Sequence, residues 1–317
     1  MGGSGPIGLM KELTGSRYWG GAPVWHDPAM TSTSPLVDAL MAWFDEHERP
    51  LPWRSTSPWG VMVSEFMLQQ TPVDRVLPVW HEWMDRWPAP ADLAADAPGD
   101  AIRAWGRLGY PRRARRLHES ATLLVERHDG QVPDDHEALL ALPGIGDYTA
   151  AAIRAFAFGR RSVVLDTNVR RVIARTLDAQ ATPPGHITRG EWQRADDLWP
   201  HADAASARWS AAVMEFGALV CTARSPQCAA CPVTGTCAWT AAGQPEAEPT
   251  RSQPRYEGSD REVRGRLLQI VRDADGAVTR AQLAKAWPDD EQRERALAGL
   301  LVDRLLATDG RARYRLP

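Results

Sequence analysis

Four cysteines constrain this chain more than any other feature. Cys221, Cys228, Cys231 and Cys237 are the only cysteines among 317 residues, and they crowd into one short segment with the spacing C-x6-C-x2-C-x5-C. Core cysteines scatter along a chain, and a single disulfide needs only two. Four thiolates on a looping segment make a soft tetrahedral site, which suits zinc or a cubane iron–sulfur cluster. A structural zinc ribbon usually carries two short C-x2-C knuckles. Here Cys228–Cys231 is the one short pair, with longer reaches on either side, and that favours the cluster. Two structural disulfides are the other arrangement. They are disfavoured because the Gly- and Pro-rich first thirty residues lack the basic, then apolar, then small pattern of a secretory signal.

The chain is long enough for two or three domains. A hydrophobic content of 44% and fourteen tryptophans imply sizeable cores. No apolar run reaches the length of about eighteen residues that a membrane span requires, so a cytoplasmic protein with no membrane partner is expected. The formal net charge of −3 argues mildly against nucleic acid, but distribution matters more than the sum. Six arginines and no acid fall between Arg103 and Arg116, and five arginines against the single Asp166 fall between Arg160 and Arg175. Such local basic surfaces fit a duplex touched on one face, although solvated helix faces would look the same.

Apolar spacing and helix-stop residues divide the chain. Residues 1–34 read as a disordered extension. Ser34 and Pro35 open a helix to His47, and the prolines of the loop 49–54 break it. Helices are expected over 58–69, 72–87, 100–108, 111–128, 134–141, 148–158, 167–178, 188–199 and 204–219, with a short one between the Pro-rich turns near 88–90 and 98–99. Only 161–165 resembles a strand. This predicts an all-α core. Residues 241–259 read as a linker. The segment 260–317 reads as a separate winged-helix-like unit of three helices, at 260–272, 279–287 and 289–306, followed by a hairpin turning at Asp309-Gly310.

Three places carry candidate chemistry. In Leu142-Pro143-Gly144-Ile145-Gly146-Asp147, the glycines permit a tight turn between helices and leave N–H groups able to hold a phosphate, though an ordinary corner would also use them. Glu65 lies in the apolar stretch Val61–Leu68, where an unpaired carboxylate is costly. Burial would raise its pKa and suit it to deliver a proton, whereas a buried salt bridge to arginine is the structural alternative. Asp166 stands at a helix start, where it can cap the helix, face a cationic sugar, or do both.

The motifs LPWR at 51–54, SEFMLQQT at 64–71, LGYPRRARRLH at 108–118, LPGIGDYTAAAI at 142–153 and VLDTNVRRV at 164–172, with the cysteine loop, resemble the adenine DNA glycosylases of the MutY type. These belong to the helix-hairpin-helix, iron–sulfur endonuclease III superfamily, and shortened actinobacterial members are the most similar in outline. The resemblance covers about residues 35–240. It implies a two-lobed fold, with an iron–sulfur domain from 35–57 and 167–240 and a six-helix barrel domain over 58–166. It also implies a [4Fe-4S] cluster on the four cysteines. Glu65 would protonate adenine N7 and then activate water. Asp166 would stabilise the oxocarbenium-like sugar or form a transient covalent adduct, with Tyr148 and Asn168 orienting both. Leu51, Trp53, Arg54 and Leu68 would line the base pocket. Gln70 and Tyr110 would wedge into the duplex beside Thr71, while Gly144, Gly146, Arg112 and Arg113 would meet DNA. The partner so implied is double-stranded DNA containing an adenine mispair, in the bacterial nucleoid, bound by a monomer.

The resemblance also implies hydrolysis without strand cleavage. A lyase of this kind needs an amine nucleophile, and the only lysines, Lys11 and Lys285, lie far in sequence from the turn that Tyr148 follows. Three departures stand out. Pro111 occupies the position of a second tyrosine, and Ala211 stands where many members carry Glu or Gln. The segment 260–317 is too short for the usual pyrophosphohydrolase-like domain that reads 8-oxoguanine. A glycosylase for thymine or uracil mismatches and a non-catalytic DNA-binding protein are the competing readings. LPWR and MLQQT weigh against the first, and retention of both Glu65 and Asp166 against the second.

Overall fold

The computed structural model describes residues 34–247 and 255–317. The proposed N-terminal extension, apart from Ser34, and residues 248–254 of the 241–259 linker lie outside them. Twelve helices precede the linker: α1 Pro35–His47, α2 Pro58–Leu68, α3 Val73–Arg86, α4 Pro90–Ala95, α5 Pro98–Ala104, α6 Arg112–Arg127, α7 His136–Leu140, α8 Asp147–Phe158, α9 Thr167–Asp178, α10 Arg189–Leu198, α11 Asp203–Leu219 and α12 Ala238–Ala241. Beyond it come α13 Asp260–Arg272, β1 Val278–Thr279, α14 Arg280–Ala284, α15 Asp290–Val302, β2 Ala307–Thr308 and β3 Arg313–Arg315. Among the described residues no helix is long and apolar enough to cross a membrane.

Two apolar clusters organise the main body. One gathers buried residues of α2 to α8, including Met62, Phe66, Trp83 and Trp105. The other gathers α1, α9, α10 and α11, including Leu40, Val172, Trp209 and Phe216. Helix α8 belongs to both. Its Ala150 and Ile153 face the first cluster, and Ala151, Ala152 and Ala155 face the second. An alanine-rich sequence lets it do so, because small side chains allow close approach on every side.

Three expectations change here. Residues 161–165 form no strand. Val164 and Leu165 are buried in the second cluster as extended chain leading into α9. The last sixty residues are not a separate unit, since Val263, Leu267, Val278, Leu300 and Leu316 continue the first cluster. They do fold as three helices with a small antiparallel sheet ordered β1-β3-β2. The sheet has one strand more than sequence reading gives, because β1 is two residues long and carries no alternation of its own. The hairpin loop spans Asp309–Ala312, closed by the Asp309 carboxylate accepting from the backbone N–H groups of Arg311 and Arg313 (2.9 and 3.3 Å).

Candidate active site

The Glu65 side chain projects from α2 between the two lobes and is 5% exposed. Among the described residues no arginine pairs with it, which leaves the buried salt bridge without support. Its side chain is met by the Tyr148 hydroxyl on α8, which donates to Oε2 at 3.2 Å. Burial pushes the Glu65 carboxyl up to about 7, the Tyr148 bond opposes that rise, and the nearby Asp166 charge adds to it. Burial likewise holds the Tyr148 phenol well above its ordinary value. A carboxylic acid poised near neutrality can give up a proton and then accept one.

Asp166 is the N-cap of α9, accepting from Val169 N at 2.6 Å on one oxygen and from Asn168 Nδ2 at 2.8 Å on the other. Burial raises its carboxyl above the ordinary value, and these two bonds offset only part of that rise. Asn168 is fixed in turn by Arg171, which donates to Asn168 Oδ1 at 2.8 Å and so leaves the amide nitrogen to face Asp166. Arg171 also reaches the carbonyls of Gly217 (2.6 Å) and Cys221 (2.7 Å). A Cβ on Gly217 would lie 2.8 Å from Asn168 Cβ, so α11 can approach α9 this closely only through glycine. Sequence reading misses Arg171. The available signal is its spacing three residues after Asn168, on the same helix face.

Of the residues expected to line the base pocket, Leu51, Trp53 and Arg54 lie on the α1–α2 connection and Leu68 ends α2. Trp53 is buried with its ring edge-on to Trp80 at 5.9 Å, and Leu51 and Leu68 pack partly buried against the same core. Arg54 is gripped by Glu48 (2.8 Å) and Glu215 (3.1 Å), and lies over the Phe44 ring. Glu215 also takes Arg49 at 2.7 Å. It is a second missed residue, although it carries the same signal as Glu65, an acid within an apolar run.

Gln70 and Tyr110 share an unusual backbone, with φ of 55° and 47°. Both are exposed, Tyr110 to 50%. Thr71 and Arg113 do not stand beside them on the surface, which corrects their expected DNA contacts. The buried Arg113 guanidinium donates to the carbonyls of Phe66 (2.8 Å), Met67 (3.0 Å), Gln69 (2.6 Å) and Gly109 (3.1 Å), and to Thr71 Oγ1 (2.9 Å). Desolvation brings its pKa down to about 10. Arg113 and Thr71 therefore tie together the two turns that present Gln70 and Tyr110. Arg112 is exposed but paired with Asp303 at 3.4 Å.

At the α7–α8 turn, Gly144 has a φ of +89°, and a Cβ there would lie 2.8 Å from Phe66 and 3.1 Å from Arg116. Gly146 caps α8 with open space around it. The second basic run is consumed internally. Arg160, Arg161 and Arg170 pair with Asp134, Asp196 and Glu191, and Arg171 and Arg175 bind carbonyls.

Cys221, Cys228, Cys231 and Cys237 are free thiols lining one pocket with Arg175 and Trp239. Arg175 donates to Cys221 Sγ at 3.5 Å and to the Thr222 carbonyl at 2.7 Å, and stacks on Trp239. Burial raises the Cys221 and Cys231 thiols. Among the described residues, no three Cys, His or carboxylate side chains converge tightly enough for a single metal ion.

Comparison with known proteins now decides the lineage. Residues 63–194 match the HhH-GPD superfamily base excision DNA repair proteins, and 221–237 match the iron–sulfur binding domain of endonuclease III. An adenine DNA glycosylase of Mycobacterium tuberculosis is 47% identical over 92% of this chain and 97% of its own length. The chain belongs to the adenine DNA glycosylases. A relative of that name from Mycolicibacterium smegmatis is 49% identical over 90% of this chain and 96% of its own. Among solved structures, a thermostable thymine-DNA glycosylase superposes with a TM-score of 0.60 at 26% identity, covering 65% of this chain and 95% of that one. The two-lobed fold of this glycosylase is thus shared with an enzyme named for a different base.

Proposed function

We propose that this chain is a monofunctional glycosylase that hydrolyses the N-glycosidic bond of adenine mispaired with 8-oxoguanine or guanine in duplex DNA. The observation that carries the reading is Glu65, buried, held near neutrality and bonded to Tyr148 beside an anchored Asp166. With adenine extruded from the stack, Glu65 gives its proton to N7. The C1′–N9 bond then breaks, and its electron pair leaves with neutral adenine. Asp166, as a carboxylate held by Val169 N and Asn168, stabilises the positive charge on the sugar. The Glu65 carboxylate then takes a proton from the water that attacks C1′, and the acid is restored. Leu51, Trp53, Arg54 and Leu68 would wall the base, with Gln70 and Tyr110 filling the gap in the duplex and the Gly144–Gly146 turn on the phosphate backbone.

The four cysteines would hold a [4Fe-4S] cluster. An all-thiol donor set lining one pocket beside the Arg175 guanidinium suits an anionic sulfide cluster. When bound, the cluster would organise the loop that Arg171 and Arg175 grip, with no part in bond cleavage.

Single-turnover base release tests the assignment, using duplexes with A opposite 8-oxoguanine, A opposite G, T opposite G and U opposite G. Release of adenine, faster opposite 8-oxoguanine, is expected. Release from the T or U duplexes alone would move the activity to another base and direct attention to Ala211. Silence on all four with tight binding would mean a binding protein.

A further inference from the structure

The turn that ends α15 has features that the fold does not require. Val302 is 81% exposed, the most exposed of the large apolar side chains among the described residues. Arg304 follows with φ of 53°, a left-handed conformation that costs a non-glycine residue roughly 1 kcal/mol. Between them Asp303 is held by two arginines, Arg112 of α6 and Arg264 of α13. That clasp fixes the turn beside Arg112, two residues after the exposed Tyr110.

Helix α6 connects this turn to the α7–α8 turn at Gly144. Arg112 and Arg116 are four apart and lie on one face, about 6 Å apart along the axis. Arg112 reaches the Asp303 turn, and the Arg116 stem packs under Gly144. Arg116 and Arg304 are both exposed and have no carboxylate partner among the described residues. Most other arginines around them are consumed: Arg112 and Arg264 by Asp303, Arg115 by Glu119, and Arg113 by carbonyls.

We infer that the Val302–Arg304 turn is a further duplex contact. Arg304 neutralises a backbone phosphate, and Val302 lies against the adjoining sugar. The unpaired cations Arg116 and Arg304 thereby extend from the α7–α8 turn to the C-terminal unit, so this unit adds to the DNA surface built by the main body. The inference rests on duplex DNA being the substrate.

The test is the affinity of the full chain for a duplex carrying an uncleavable 2′-fluoro adenosine opposite 8-oxoguanine, measured across a range of salt. Arg304→Asn keeps a residue that tolerates the left-handed backbone and removes the charge. It should weaken binding about fivefold at 0.15 M salt and flatten the log–log salt slope by about 0.9, the loss of one phosphate contact. Arg304→Lys should retain most of both. Val302→Glu, at a site with no packing to disturb, should weaken binding by a similar factor. Arg127→Asn, at the far end of α6, should match the unaltered protein in binding and in base release. An unchanged Kd and slope for Arg304→Asn, or an equal loss for Arg127→Asn, would overturn the inference. Base release by the unaltered protein reports separately on the glycosylase reading, so failure of one is not mistaken for failure of the other.

Discussion

At the scale of single residues, the decisive side chain is Glu65, because its charge state couples activity to stability. Its carboxyl sits near 7 in the folded chain, against 4.5 when solvated. A general acid must be protonated, so single-turnover base release should fall about tenfold per pH unit above neutrality, and a flat profile from pH 6 to 9 would exclude this role. The folded state binds the proton more tightly than the unfolded one. Stability is therefore full below the unfolded pKa and declines as pH rises through the folded one. Glu65→Gln should remove that decline and stabilise the protein at pH 8 by on the order of 3 kcal/mol while abolishing base release. Thermal melts at pH 5 and pH 8 would show it. Tyr148→Phe deletes the bond that favours the ionised form. The alkaline limb of its rate profile should therefore move to higher pH, and the rate should drop. A limb that moved lower would assign the Tyr148 contact the wrong sign.

At the scale of elements, two arginines set the geometry. Arg113 carries five hydrogen bonds that close the turns of Gln70 and Tyr110. Arg113→Met orphans four carbonyls and should cost about 3 kcal/mol, with mismatch binding lost beyond what that destabilisation explains. Calorimetry beside binding assays would separate the two effects. Arg171 links the carbonyl of Cys221 to Asn168 and hence to Asp166. Cys237→Ser, checked by iron and sulfide analysis, should slow base release although the substituted residue lies outside the base pocket. Most helices were legible in sequence because proline, serine and glycine mark their ends and apolar spacing marks their faces. The acid was legible too, since Glu65 interrupts an apolar run. The arginines were not. In sequence an arginine that meets a phosphate and one that meets buried carbonyls look alike, and in the run from Arg160 to Arg175 four turn inward while the exposed Arg160 pairs with Asp134. The short strand β1 escaped for a related reason, since its only support is a partner some thirty-five residues away.

At the scale of the whole molecule, the C-terminal unit belongs to the core. Arg272 of α13 packs half-buried against α5 and the turn after it, donating to the carbonyls of Ile102 (3.0 Å) and Gly106 (2.5 Å), and Pro317 O accepts from Gly99 N at 2.9 Å. Desolvation brings the Arg272 pKa down to about 10. Melting should therefore report no early, independent transition for residues 255–317. A chain ending at 247 should aggregate, because Val263, Leu267 and Leu300 would no longer cover their part of the shared cluster. Two well-separated transitions in the full protein would count against this. Helix α8 has a wider consequence. It is a strut common to both apolar clusters, and Glu65 and Asp166 both act on its Tyr148. A hinge opening between the lobes would have to tear that strut from one of its two cores. The protein thus works as an anvil of fixed gauge, and the deformation falls on the DNA. Sequences that kink easily around the mismatch should then be processed fastest, at equal chemistry.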